Sequence, residues 1–380
     1  MEDILQITII LFFSMLATLL SKKLKIPEVV GQMLIGIILA PSVLGLINGG
    51  HTIEVMSEIG VILLMFLAGL ESDLEVLKKN LKPSILVALS GVIIPITIFG
   101  IVAFYSGRSI STSLFYGIVF AATSVSITVK VLQEYDYLST KAGNIILGAA
   151  VVDDILAILI LSVFKSFKNS EGNLIVQFSM EILFFVFLFF VHKFIPKVWK
   201  FINKLPIYAK NTTSALIICL GLSLLADKVG MSAVIGSFFA GIAISQTEVS
   251  EIIEEYVSAI GYVIFIPIFF VSIAISISFD VLFEHPFIVI LFTLLAILTK
   301  FLPAYYSGKV CNLKKSESLL IGTGMVSRGE MSLIVAQIGL SGAIINKNIY
   351  SELVIVIILT TLLAPFLIKM VIKKDSARNI

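Results

Sequence analysis

The chain has 380 residues, 58% of them hydrophobic and only 14% charged. A soluble protein of this size carries about 25% charged residues, so the composition excludes a soluble domain and indicates an all-α polytopic membrane protein. The net charge of +2 comes from basic residues spread over many short loops, which leaves no basic face for nucleic acid.

In chain order, apolar runs bounded by charges or turn residues predict about thirteen transmembrane helices. They fall near 4–21, 27–47, 53–71, 84–104, 112–132, 142–164, 174–195, 211–228, 231–246, 256–278, 286–307, 317–340 and 349–371. The start Met1-Glu2-Asp3 is acidic and no small-residue cleavage site follows the first run, so that run reads as a retained helix. Lysine and arginine bias sets the orientation. With the N-terminus outside, twenty of the 27 basic residues fall on inner loops and flanks and five on outer ones. The C-terminus is then cytoplasmic, and no soluble domain is expected after Asn379-Ile380. Cys219 and Cys311 lie far apart, and His51, His192 and His285 stand alone, so neither type forms a metal or disulfide pattern.

A weak internal repeat relates Val30-Gly31-Gln32-Met33-Leu34-Ile35-Gly36 to Ile235-Gly236-Ser237-Phe238-Phe239-Ala240-Gly241. Seven spans separate the copies, so they enter the membrane in opposite directions. Inverted repeats are the common plan of secondary transporters, with the site at midplane between the copies. Small residues at helix crossings explain the same glycines.

The most informative stretch is Gly148-Ala149-Ala150-Val151-Val152-Asp153-Asp154 in the sixth span. An acidic residue at the centre of a membrane helix costs about 2.5–3.5 kcal/mol on insertion scales, so an adjacent pair there reads as a functional site, with a buried structural ion pair as the alternative. Asp153 lies at the centre of its span, Arg328 at the centre of the twelfth, and Ser124 near the centre of the fifth. Lys300 lies about 6 Å of helical rise from the centre of the eleventh. The chain's central charges thus share one layer. Neighbouring helix residues point about 100° apart, so one aspartate faces a partner charge and the other the ion path. Lys300, near the helix-loosening Pro303, is the natural partner. The small residues before the pair allow another helix to cross closely.

The fifth span carries Thr123-Ser124-Val125-Ser126-Ile127-Thr128, four hydroxyls in six positions. They either bond back to their own helix, or mark a broken helix whose carbonyls and hydroxyls coordinate a hard monovalent cation. The twelfth span has a matching stretch, Gly322-Thr323-Gly324-Met325-Val326-Ser327-Arg328-Gly329-Glu330-Met331-Ser332. It predicts a second break, with Arg328 and Glu330 neutralising helix ends. It is no dinucleotide fingerprint, because the third glycine and the preceding strand are missing. Glu71, closing the third span, reads either as a gate at the inner mouth or as a solvated helix end. Glu248, Glu251, Glu254 and Glu255 read as a solvated acidic face or as a cation-attracting, pH-sensing loop.

These residues resemble the monovalent cation:proton antiporter-2 superfamily, closest to the NapA-type sodium/proton antiporters. The resemblance covers nearly the whole chain. It rests on Ile26-Pro27-Glu28-Val29-Val30-Gly31-Gln32, Phe66-Leu67-Ala68-Gly69-Leu70-Glu71, Thr123-Ser124-Val125-Ser126, Asp153-Asp154, Lys300 and Ser327-Arg328-Gly329-Glu330. It implies an inverted-repeat antiporter fold in the cell membrane, with the fifth and twelfth spans broken and crossing. It also implies a homodimer. The dimer domain would comprise 1–83 and 211–280, the core domain 84–165 and 281–380, and the linking helix 166–210. Asp154 would be the ion-binding aspartate and Asp153 the one paired with Lys300. The paired aspartates imply electrogenic exchange, and together with the missing nucleotide-binding domain they favour sodium. Potassium, or both ions, is the alternative.

The expected function is therefore secondary sodium/proton antiport by alternating access, with no cofactor. Asp154, Asp153, Thr123 and Ser124 would hold the sodium ion, and Lys300 would act as counter-ion and proton carrier. Rival classes are a channel, which needs a continuous polar pore, and an ion-coupled organic anion carrier, which needs a larger polar cavity. An intramembrane protease needs its two aspartates on separate helices.

Overall fold

The computed structural model describes residues 2–24, 27–71, 74–169, 174–275, 286–341 and 344–376, and all regular structure among them is helical. The helices are α1 (Glu2–Leu24), α2 (Glu28–Leu39), α3 (His51–Leu70), α4 (Leu74–Lys79), α5 (Leu81–Tyr105), α6 (Ile110–Ala121) and α7 (Val125–Glu134). They continue with α8 (Lys141–Asn169), α9 (Leu174–Ile202), α10 (Lys210–Lys228), α11 (Ala233–Ser245), α12 (Ser250–Ile260) and α13 (Ile266–Ile275), the last two joined by a π turn at Gly261–Phe265. The chain ends with α14 (Pro286–Val310), α15 (Lys315–Gly324), α16 (Glu330–Ser341) and α17 (Lys347–Ser376). Eight described helical stretches are long and apolar enough to cross a membrane.

The departures from the expected spans have local causes. The run 27–47 is helical only to Leu39. Ala40 turns extended, with φ −59° and ψ 158°, because the residue before Pro41 is driven out of the helical region. The runs 112–132 and 317–340 are each split into two half-helices. The end of the tenth expected span, 276–278, lies outside the described residues.

One compact unit comprises Met1–Gly49, Lys78–Ala157 and Phe270–Ile380. In it α5 packs on α6 and α14, and α17 packs on α14, α15 and α16. An aromatic cluster fixes α6 against its neighbours. Phe99 of α5 stacks on Phe120 at 4.2 Å between centroids, and Phe292 of α14 meets Phe99 and Tyr116 edge-on, each at 5.7 Å. The first turns of α6 are pinned to α17: Arg108 and the Tyr116 hydroxyl both donate to one Glu352 oxygen, at 2.8 and 2.9 Å. At the far end of α7, Glu134 accepts the Glu28 N–H at 3.0 Å, so the positive end of the α2 dipole rests on a carboxylate.

The second unit comprises Gly50–Leu77 and Ile158–Phe269. Its core is the packing of α3 and α10 on α11. The glycines of the internal repeat do equivalent work in the two units. A Cβ at Gly31 would strike Ser21 of the preceding helix α1, and one at Gly236 would strike the backbone of Leu222 in the preceding helix α10. In each copy a small residue lets a helix lie directly against the one before it.

Candidate functional site

The first unit holds the site at two backbone breaks that face each other. Helix α6 stops at Ala121. Ala122 is extended (φ −68°, ψ 140°), as is Ser124 (φ −90°, ψ 116°), and α7 starts at Val125. Helix α15 stops at Gly324 and α16 starts at Glu330. A break in a membrane helix frees backbone groups that lipid cannot satisfy, so they must find partners inside the protein.

Here each break satisfies the other. The Ser124 N–H donates to the Ser327 carbonyl at 2.9 Å, and the Ser327 hydroxyl donates to the Ser124 carbonyl at 2.6 Å. The Thr128 hydroxyl donates to the Gly324 carbonyl at 2.7 Å, and the Ser332 hydroxyl donates to the Ala122 carbonyl at 3.2 Å. The Ser124 and Ser126 hydroxyls lie 3.1 Å apart. Gly329 makes the approach sterically feasible, since a Cβ there would lie 2.6 Å from Ser124 Oγ.

Arg328 completes the crossing. It is fully buried. Its guanidinium donates to the Phe120 carbonyl at 2.8 Å and to the Val326 carbonyl at 3.1 Å, and it lies 5.5 Å over the Phe120 ring. Phe120 is the penultimate residue of α6, and Val326 follows the end of α15. One cation thus meets the negative C-terminal ends of two half-helices. The Arg328 carbonyl accepts in turn from the Thr361 hydroxyl of α17. The Glu330 side chain lies outside the described residues.

Beside the crossing, Asp153 of α8 meets Lys300 of α14. The Lys300 ammonium donates to both carboxylate oxygens, each at 3.1 Å, and the two side chains are 0% and 1% exposed. A pair this deep loses the hydration of both ions and needs near-ideal geometry to recover it, which the two-oxygen contact supplies. The crossing expected at Gly148-Ala149-Ala150 is made by α5: a Cβ at Gly148 would lie 2.6 Å from Ser84 Oγ, and the Ser84 hydroxyl donates to the Ile145 carbonyl at 3.2 Å. Asp154 is the next residue of α8, and its side chain lies outside the described residues.

Thr123 lies within reach of the Asp153 carboxylate. Its hydroxyl is buried and completes no hydrogen bond of ordinary geometry among the described residues. Among the described residues no group of three or more His, Cys, Asp or Glu gathers as a metal site.

The expected site residues Asp153, Lys300, Thr123, Ser124 and Arg328 therefore come together in one unit. Glu71 lies elsewhere, exposed at the end of α3, with its N–H donating to the Leu67 carbonyl at 3.0 Å. Of the acidic loop, Glu248, Glu251 and Glu255 are exposed and Glu254 is half-buried. Phe120 and Thr361 were not legible as parts of the site. A lone hydroxyl or aromatic residue in an apolar helix carries no mark of its partner.

The chain is similar to known proteins along nearly its whole length. A family described as "Sodium/hydrogen exchanger, transmembrane" matches residues 9–374. A "Na(+)/H(+) antiporter" of Enterococcus hirae is 43% identical over 98% of this chain and 99% of its own length. A "Na(+)/H(+)-K(+) antiporter GerN" of Bacillus cereus is 37% identical over 97% and 96%. The solved structure of the sodium proton antiporter MjNhaP1 from Methanocaldococcus jannaschii superimposes with a TM-score of 0.72 at 18% identity, covering 97% of this chain and 96% of that one.

Proposed function

The chain belongs to the sodium/hydrogen exchanger family, and we propose that it is a secondary sodium/proton antiporter whose exchange runs through Asp153 and Asp154. The observation that carries this reading is the Asp153–Lys300 pair, sealed from solvent beside two broken helices.

Antiport follows from competition at one carboxylate. Asp154 holds either a proton or a sodium ion, because each neutralises the same charge. Thr123 and Ser124 complete the shell of the desolvated ion with neutral oxygens. Asp153 and Lys300 titrate as a coupled pair, so proton uptake by one changes the charge state of the other. With Lys300 releasing a proton during the cycle, exchange is electrogenic. Arg328 and Glu330 hold the breaks by neutralising the half-helix ends.

The working form is a homodimer in the cell membrane, with the N-terminus outside and the C-terminus in the cytoplasm. Residues 1–83 and 211–280 supply the dimer domain and 84–165 and 281–380 the moving core, with 166–210 linking them. Movement of the core exposes the site to each side in turn.

The test is purified protein in proteoliposomes, under a proton gradient, with each alkali cation added in turn. Sodium should dissipate the gradient. No response to any alkali cation by a folded protein would overturn the reading. The GerN resemblance supports a second reading in which potassium is carried as well, and a response to potassium would establish it.

A further inference from the structure

Three helix ends of the first unit meet at a small cavity remote from the ion pair. Helix α8 begins at Lys141, α15 begins just after Lys314, and α17 contributes Ile372 near its end. The cavity holds about 190 Å³, below the roughly 300–1,000 Å³ of sites for drug-sized ligands. Lys141, Lys314 and Ser316 line it together with the apolar Leu320 and Ile372. Glu317 lines it too, with its carboxylate accepting the Lys314 N–H at 2.8 Å and so engaged in capping α15. Among the described residues neither lysine ammonium forms an ion pair. Exposed Lys315, Lys373 and Lys374 occupy two of the same helix ends and raise the positive potential around the opening.

We propose that this cavity binds the phosphodiester headgroup of an anionic phospholipid, with Lys141 and Lys314 on the phosphate and Leu320 and Ile372 against the first carbons of the lipid. The inference rests on the reading of the chain as a membrane antiporter. Two cationic side chains beside apolar walls match a group that is charged at one end and greasy at the other. A free, fully hydrated phosphate has no use for the apolar half. Basic pockets between the cytoplasmic ends of membrane helices are the usual place for such headgroups. The occupant would bridge α8, which carries Asp153, and α15, which runs directly into the break at Ser327. Asp153 lies twelve residues from Lys141 along one helix, or about 18 Å of rise. The lipid would therefore brace the two elements that set the site's geometry.

The experiment compares the protein in vesicles of phosphatidylcholine alone and with phosphatidylglycerol added, reading the thermal unfolding midpoint. Phosphatidylglycerol should raise the midpoint of the unaltered protein, and Lys141→Gln with Lys314→Gln should remove most of that rise. Lys141→Arg with Lys314→Arg should keep it, which separates lost charge from a folding defect. Inorganic phosphate in phosphatidylcholine vesicles should produce no rise. An undiminished rise in the Gln variant overturns the proposal, as does an equal rise from inorganic phosphate. Sodium-driven proton movement in phosphatidylcholine vesicles is measured alongside. Its absence would count against the antiport reading alone, since the midpoint shift needs no transport.

Discussion

Ser124 and Ser327 hold each other by main chain and side chain at once. The Ser124 N–H donates to the Ser327 carbonyl at 2.9 Å, and the Ser327 hydroxyl returns a bond of 2.6 Å to the Ser124 carbonyl. The two breaks are thus one structural element, although 203 residues separate the partners. Neither half-crossing can relax without exposing polar backbone inside the protein.

Ser327→Ala should therefore destabilise the protein by about 1–3 kcal/mol, because it leaves the buried Ser124 carbonyl without its side-chain donor. Thermal unfolding of the purified protein measures this. Ser327→Thr keeps the hydroxyl and should recover part of the loss. A midpoint for Ser327→Ala equal to that of the unaltered protein would show that the bond contributes nothing.

Gly329→Ala should be worse for transport than for membrane insertion. The added Cβ would lie 2.6 Å from Ser124 Oγ, so the two breaks must part. Inserted protein with exchange reduced more than tenfold is the expected outcome, read by proton movement in proteoliposomes.

Asp154→Asn should abolish cation-driven proton movement while leaving a folded protein. The amide can neither exchange a proton nor neutralise a cation. Normal exchange by this variant would remove Asp154 from the mechanism.

Thr123→Ala should raise the half-saturating sodium concentration more than it lowers the maximal rate. In the proposed site the hydroxyl would be a neutral ligand beside Asp153, and the titrating carboxylates remain. Ser124→Ala is expected to act in the same direction. Its side chain already contacts Ser126 at 3.1 Å, so the shift should be smaller. Unchanged half-saturation in both variants would make these hydroxyls purely structural.

Lys300→Ala should lower stability by about 3–5 kcal/mol, the usual penalty for breaking a buried ion pair from one side. Lys300→Gln combined with Asp153→Asn removes both charges and should restore much of it. Transport by that double variant then decides the role of the lysine. Electroneutral exchange, or none, is expected if Lys300 carries a proton. Sodium uptake with unaltered voltage dependence would reduce the pair to a structural one.

That Asp153 and Lys300 would meet was legible from the sequence, because a helix rises by a constant amount per residue and counting along the spans brings the two to similar levels. The two breaks were legible for a related reason. Hydroxyls at 123–128 and glycines at 322–329 supply the local donors and the close approach that a broken helix requires. Partner choice was legible only in part. Lys300 could be matched to Asp153 because few charges lie at that depth, and an unpaired one is costly. Which hydroxyl serves which carbonyl depends on the direction in which each helix crosses its neighbours, and apolar sequence is nearly silent on that. Arg328 donates to Phe120, 208 residues earlier, and Thr361 secures the Arg328 carbonyl from yet another helix. Only the folded chain decides these contacts, since they satisfy backbone groups that become orphans only after the half-helices have been brought together.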